Sequence, residues 1–455
     1  MTAADGGQRG FPSKGIDMKA ALLTVLLLVW PLGPQARADA PPRGVAPGGT
    51  LDETTWKEAE DLFPEEILAH YRDGKFRSPV GKISAPYRLD ETFLAASEAN
   101  EGKFRISPEG SLVEAATGKT PEYSFGLPFP KIDPKDPQVA EKILWNYEYA
   151  YWSNGSNKIT SKLLWLNGTS KTPERAVVLQ SLAMVYEGNR HKMDNPQQFS
   201  RLDRNLLLEP ADANGTASLG WRYKDPAKRD QLWAYVPALR RVRATSPSNR
   251  SDGVFGSEMT QDDGFNGFDA KPEDFTYKLV GQKDQYMSFA PEALDGKIQF
   301  TQYPDGQGWG VTSPEFVYGY KLPDFKGFGW CPVQSVLVPR PVWLLEATPK
   351  DRYYLYGKIL IAIDRETYKV SNVVKYDWKG QPVGVFNRGI SYGKAPDGYR
   401  FVNLTGGGQG GAYAENTKLE RATAAEVMPK PVDNAIDIKL GLEEFQPDRL
   451  VQLGR

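Results

Sequence analysis

The chain has one cysteine, Cys331, and two histidines, His70 and His191, among 455 residues. A single cysteine excludes an internal disulfide. So few His and Cys side chains leave no material for a four-ligand zinc site, and they restrict any Cys–His catalytic pair to two candidate bases. Cys331 stands between Trp330 and Pro332, a setting that reads as a buried structural thiol. Charge of one sign is also lacking, since 56 Lys and Arg stand against 57 Asp and Glu. That balance argues against general nucleic-acid binding, which needs a basic domain. After residue 30 no long hydrophobic run occurs. The one apolar stretch, Ala20 to Trp30, is too short to cross a bilayer comfortably.

That stretch follows Met18-Lys19 and precedes Ala36-Arg37-Ala38, the order of a secretory signal peptide. Residues 1–38 are therefore read as a signal peptide, with Met18 as a second candidate start. The mature chain is expected to begin near Asp39, in the periplasm. Residues 39–50 are rich in Pro and Gly and are expected to be flexible.

What the chain has in quantity is aromatic and turn-forming: 22 Tyr, 20 Phe and 11 Trp beside 44 Gly and 35 Pro. This favours a mainly β, turn-rich protein. Residues 51–157 lean helical. Pro64 opens one helix, with Glu65 and Glu66 in its first turn. Val139, Ile143, Leu144, Tyr147 and Ala150 recur at helical spacing. Between them Gly126-Leu127-Pro128-Phe129-Pro130 must be extended, because each proline pushes its predecessor out of the α region. From 158 to 430 alternating patterns predict strands, among them 159–166, 176–186, 231–236, 277–280, 343–347 and 412–419. The clearest hairpin spans 354–378 and turns at Asp364-Arg365-Glu366-Thr367. Sequential strands with short connections imply an antiparallel meander. Residues 431–455 read as a C-terminal tail.

The segment 231–243 is the most informative. Trp233 and Tyr235 share one face of an alternating strand, Pro237 ends or bends it, and Arg240, Arg241 and Arg243 follow. These five are the candidate ligand-binding or rim residues. Asp262, Asp263 and Asp269 are candidate partners for the arginines. Asp262 to Glu273 only partly matches a calcium loop, because Gly264 fills the third position, so a polar Gly-rich loop is the better account. Gly406 to Gly411 lacks the Lys-Ser/Thr of a phosphate loop. The sequence assigns no catalytic residue, metal ligand or cofactor site.

The order of motifs resembles the DUF1329 family of exported proteobacterial proteins. The elements are Gly126-Leu127-Pro128-Phe129-Pro130, Trp145-Asn146, Leu232 to Pro237 with Arg240-Arg241-Val242-Arg243, Asp262-Asp263, Phe268-Asp269, Lys278 to Gly281 and the 354–364 strand. That family is similar to outer-membrane lipoprotein-sorting proteins. The resemblance implies a LolA/LolB-like fold: a strongly curved antiparallel half-barrel with helices over its concave face. It implies no catalytic residue.

The leading expectation is a non-enzymatic periplasmic carrier or chaperone for a hydrophobic ligand, a lipid or lipoprotein acyl chain, working with an envelope transport system. Two alternatives stay open. One is an exported carbohydrate-binding protein or hydrolase, recognisable by an open polar cleft with converging carboxylates. The other is a docking subunit of an envelope complex, with the arginine cluster as its surface.

Overall fold

The computed structural model describes residues 44–246, 250–264, 266–312, 317–402, 404, 411–428 and 430–454. The signal-peptide expectation and most of the Gly406–Gly411 run lie outside the described residues. The first third supplies three helices: α1 (Glu65–Arg72), α2 (Glu91–Ala99) and α3 (Val139–Trp152). Pro64 caps α1 in extended backbone, and the Asp90 carboxylate accepts from Thr92 N to cap α2, as side-chain acceptors do at a helix start. In α3 nearly every side chain from Ile143 to Tyr151 is buried, so it lies inside the protein rather than on it. Two small sheets pair β1 (Thr50–Leu51) with β2 (Ser78–Pro79) and β3 (Phe104–Ile106) with β4 (Leu112–Glu114).

The body is a 16-stranded sheet. Its first run is a plain meander: β5 (Asn157–Asn167), β6 (Arg175–Val185), β7 (Phe199–Glu209), β8 (Ala217–Tyr223), β9 (Gln231–Val236) and β10 (Arg241–Thr245), each antiparallel to the next. Then come β11 (Phe275–Phe289), the short helix α4 (Pro291–Leu294), the hairpin β12 (Gln299–Gln302) with β13 (Trp309–Thr312), β14 (Val336–Pro349), β15 (Lys358–Asp364), β16 (Val370–Tyr376) and β17 (Pro382–Ile390). After the small pair β18 (Gly393–Lys394) and β19 (Arg400–Phe401) follow β20 (Ala412–Asn416), β21 (Arg421–Val427), β22 (Asn434–Ile436) and α5 (Pro447–Leu453).

The two runs join where β21 pairs with β5. From β17 the sheet turns on itself. β17 pairs with β16, β16 with β15, β15 with β14 and β14 with β11. The last residues of β11 then return to β17 in two parallel pairs, Ser288 with Gly389 and Phe289 with Ile390. Five strands thus close a ring, while β10 ends the opposite side of the sheet.

Alternation sorts the side chains. Trp165 (β5), Leu179 (β6), Leu207 (β7), Leu345 (β14), Ile361 (β15) and Phe386 (β17) share one buried cluster with Ile143, Leu144 and Tyr147 of α3. Strands so far apart in the sheet can share one helix only if the sheet wraps around it, so this is the concave side. Their neighbours Leu164, Leu166, Val385 and Tyr413 face the other way, into a cluster with Leu68 and Tyr71 of α1 and with Trp330 and Cys331. A third cluster extends that convex side over β6–β9 and is covered by Phe445 and Leu450. The expected helix-leaning region therefore divides between both faces of the sheet. Residues 431–455 are not a tail: β22 hydrogen-bonds to β5 and β13, and α5 packs on the sheet.

Candidate functional site

Pro237 opens a single helical turn, Pro237–Leu239, and Arg240 closes it at φ +47°. The chain then returns antiparallel, setting Arg241 opposite Val236 and Arg243 opposite Ala234. Trp233 and Tyr235 point to the convex side. Trp233 meets Trp221 edge-on at 4.7 Å, and Tyr235 is buried in the cluster that holds Leu450. The concave side of β9 carries Leu232, Ala234 and Val236 instead. Leu232 lies across from Gly220 and approaches it on the same face as Asp203.

Arg240, Arg241 and Arg243 are exposed. Among the described residues they pair with none of Asp262, Asp263 and Asp269, contrary to expectation. Those carboxylates are held elsewhere. Asp269 takes both Nη atoms of Arg201 at 2.7 Å, and its backbone carbonyl accepts from Arg222 and Arg250 at 2.9 Å. Asp262 accepts from Arg250 Nε and, at 2.9 Å, from Tyr354 Oη. Asp263 pairs with Lys375 and accepts from Thr260 N at 2.7 Å. The physical reason is register. β7 and β8 place Arg201 and Arg222 opposite one another on the concave side, directly facing the 250–275 segment. The cluster on β10 lies two strands further out.

Asp230 completes the network, accepting from Arg222 Nε at 3.1 Å. Burial alone would raise the pKa of Asp230 and Asp269. The surrounding guanidiniums outweigh it and hold both below the ordinary carboxylate value. Arg201 also stacks on Trp152, the last residue of α3, at 4.6 Å. The ion-pair network therefore ties β7, β8 and the 250–275 segment to the end of α3.

Two cavities flank Lys271. One, of about 460 Å³, is lined by Lys228, Arg229, Asp230, Asp274, Phe275 and Tyr354, with others. The second, of about 40 Å³, is lined by Trp145, Glu148, Glu187, Arg222, Lys224 and Glu273. Burial, with Asp269 adding repulsion, pushes the Glu148 carboxyl up to about 8. Burial likewise raises Glu187 and Glu273. Among the described residues Glu148 Oε1 and Glu273 Oε2 have no hydrogen-bond partner. None of these glutamates stands out in the sequence; the one available signal was Glu148 interrupting the apolar run of α3. Elsewhere, burial pushes the Cys331 thiol up to about 12, which fits an inert buried cysteine. His70 Nε2 lies 2.9 Å from Glu415 beneath Phe328. Among the described residues no group of three or more His, Cys, Asp or Glu is arranged to hold a metal ion, and no helix is long and apolar enough to cross a membrane.

The fold defines the class: a mainly β protein whose large antiparallel sheet curves around helices, with a charged network on its concave side. The chain belongs to the family described as "Protein of unknown function (DUF1329)", whose profile matches residues 50–402. It is 22% identical over 303 residues to the uncharacterized protein PA3922 of Pseudomonas aeruginosa. That match covers 65% of this chain and 59% of the relative. Among solved structures, it is similar to a Vibrio parahaemolyticus domain described as an outer membrane lipoprotein-sorting protein domain. The TM-score is 0.44 at 15% identity, covering 69% of this chain and 98% of that one. It is also similar to the LolA superfamily protein NE2245 of Nitrosomonas europaea, with TM-score 0.39 at 13% identity, covering 68% and 98%.

Proposed function

We propose that the protein is a non-enzymatic periplasmic carrier for an amphipathic ligand, a lipid or lipoprotein acyl chain, working with an envelope transport system. One observation carries this reading. The cleft of about 460 Å³ holds charged groups of both signs beside Phe275 and Tyr354, and β9 leaves it at Asp230 with half-buried Leu232 and Ala234 and exposed Val236 on its concave side. Its size falls within the range of about 300–1,000 Å³ usual for ligand pockets. The polar end of the ligand would sit in the cleft and its chain along the strip. The concave side further in is already filled by α3 and its aromatic neighbours, which supports a ligand at the rim rather than in a sealed apolar chamber. Native mass spectrometry of the purified protein should show a bound lipid, and a fluorescent fatty acid should bind and be displaced. Leu232→Asp with Val236→Asp should weaken that binding roughly tenfold, by removing apolar contact and adding charge. An empty protein that binds no fatty acid would refute the carrier reading.

A second reading, an exported hydrolase, is favoured by the convergence of Glu148, Glu187 and Glu273 on one small cavity. A protonated carboxyl near neutral pH is what a general acid requires. Turnover of a glycan or ester panel, lost in Glu148→Gln with the fold intact, would support it.

A further inference from the structure

The outermost strand of the open side offers something different from the cleft. Among the described residues β10 is paired on one side only, by β9. Its convex side is covered by the α5 end of the chain, with Val242 packed against the cluster of Tyr235 and Leu450. Its concave side is open, with Arg241, Arg243 and Thr245 all exposed, and on the convex side the cover stops short of Ala244, which is exposed too. A bare strand edge presents unpaired N–H and C=O groups and is a template for another strand. Arg240, Arg241 and Arg243 make no ion pair with any described residue, whereas Arg201, Arg222 and Arg250 are each paired. Two exposed apolar side chains, Val236 and Leu239, stand at the same hairpin tip.

The charge selects the occupant. If a second copy paired β10 with β10, arginines would lie near arginines, and like charges across a strand pair are unfavourable. An acidic strand has the opposite sign. Arg241 and Arg243 are two residues apart on one face, so their side chains are spaced about 6.7 Å along the strand. Carboxylates at every second position of an added strand repeat at the same interval. Residues between them would fall on the convex side, beside Val242 and Ala244, where apolar side chains fit. A lipid surface would use the arginines but leave the backbone edge unused.

We propose that the outer edge of β10 is a docking edge for an extended acidic segment of a partner protein, added as a further strand with Asp or Glu at alternate positions facing Arg241 and Arg243. This does not rest on the carrier reading, since it uses the edge and not the cleft. The test is fluorescence anisotropy with a labelled peptide of about eight residues alternating Glu and Val, the length range of a strand added at an edge. Two controls are a Lys-for-Glu peptide and a Glu peptide N-methylated at alternate amides. The Glu peptide should bind, more weakly as salt rises; the Lys peptide and the N-methylated peptide should not. R241E/R243E should weaken the Glu peptide roughly tenfold or more and bind the Lys peptide instead. Both positions are exposed, and an unchanged circular dichroism spectrum checks the fold. No binding of the Glu peptide overturns the proposal. So does equal binding of the N-methylated peptide, or binding to phosphatidylglycerol vesicles without binding to the peptide.

Discussion

At the scale of single residues, the concave side is governed by carboxylates pushed in opposite directions. Asp269 is held ionised by Arg201 and Arg222 against the cost of burial. Its folded pKa lies below its unfolded one, so its contribution is present above the ordinary carboxylate range and is lost as acid protonates it. Asp269→Asn leaves three guanidiniums without their shared anion. Denaturant unfolding at neutral pH should register a loss of about 3–5 kcal/mol, as for other broken buried pairs. Glu148 runs the other way. Its folded pKa of about 8 lies above the ordinary 4.5. Its contribution is intact below 4.5 and is lost as pH rises to about 8, because the unfolded chain ionises first. Glu148→Gln, which cannot ionise, should therefore melt increasingly above the parent protein as pH rises over that window and level off beyond it. A melting difference that does not change with pH would contradict the assignment.

At the scale of elements, α5 and the 442–445 turn act as the cover of the open side. Leu450 and Phe445 are fully buried against strands β6 to β9. Leu450→Ala should cost about 2–5 kcal/mol, the usual range for a buried Leu truncation, read by chemical denaturation. The sequence pattern does not announce this cover, because Pro447 to Leu453 is short and its apolar residues acquire a purpose only beside Tyr235. β7 was illegible for a related reason. Its alternation Arg201, Asp203, Asn205 against Leu202, Leu206 looks like an ordinary solvated face, yet the polar side points inward to Asp269. Charges buried by partners distant in sequence cannot be told from surface charges by periodicity. By contrast α3, α1 and the β15–β16 hairpin were legible, since local spacing and caps specify them. Asp364 Oδ1 accepts from Glu366 N and Thr367 N at that turn, as the short polar connection implies. The arginine cluster lies exposed on the β9–β10 hairpin, away from the aspartates matched to it, because closeness along the chain is no guide to which strand faces which loop.

At the scale of the whole molecule, one side of the sheet is closed by the β11–β17 ring and the other ends in β10. Amide hydrogen exchange should follow that difference. Protection is expected to be highest in β14 to β16, which are paired on both sides and buried, and lowest in β9 and β10. Equal protection across the sheet would mean that the outer strands are held by something beyond the contacts described. Between these extremes runs the β5–β21 ladder, which joins Asn167 to Arg421 and Ser161 to Val427. Every other long ladder unites segments much closer in the chain. β5 to β10 can assemble from chain neighbours alone, and so can β14 to β17. The seam between the halves must wait for residues near the end of the chain and must pay the entropy of closing a long loop. Until then β5 has one edge without a partner. The time this protein spends incomplete, and exposed to wrong pairings, depends on how soon β21 finds β5.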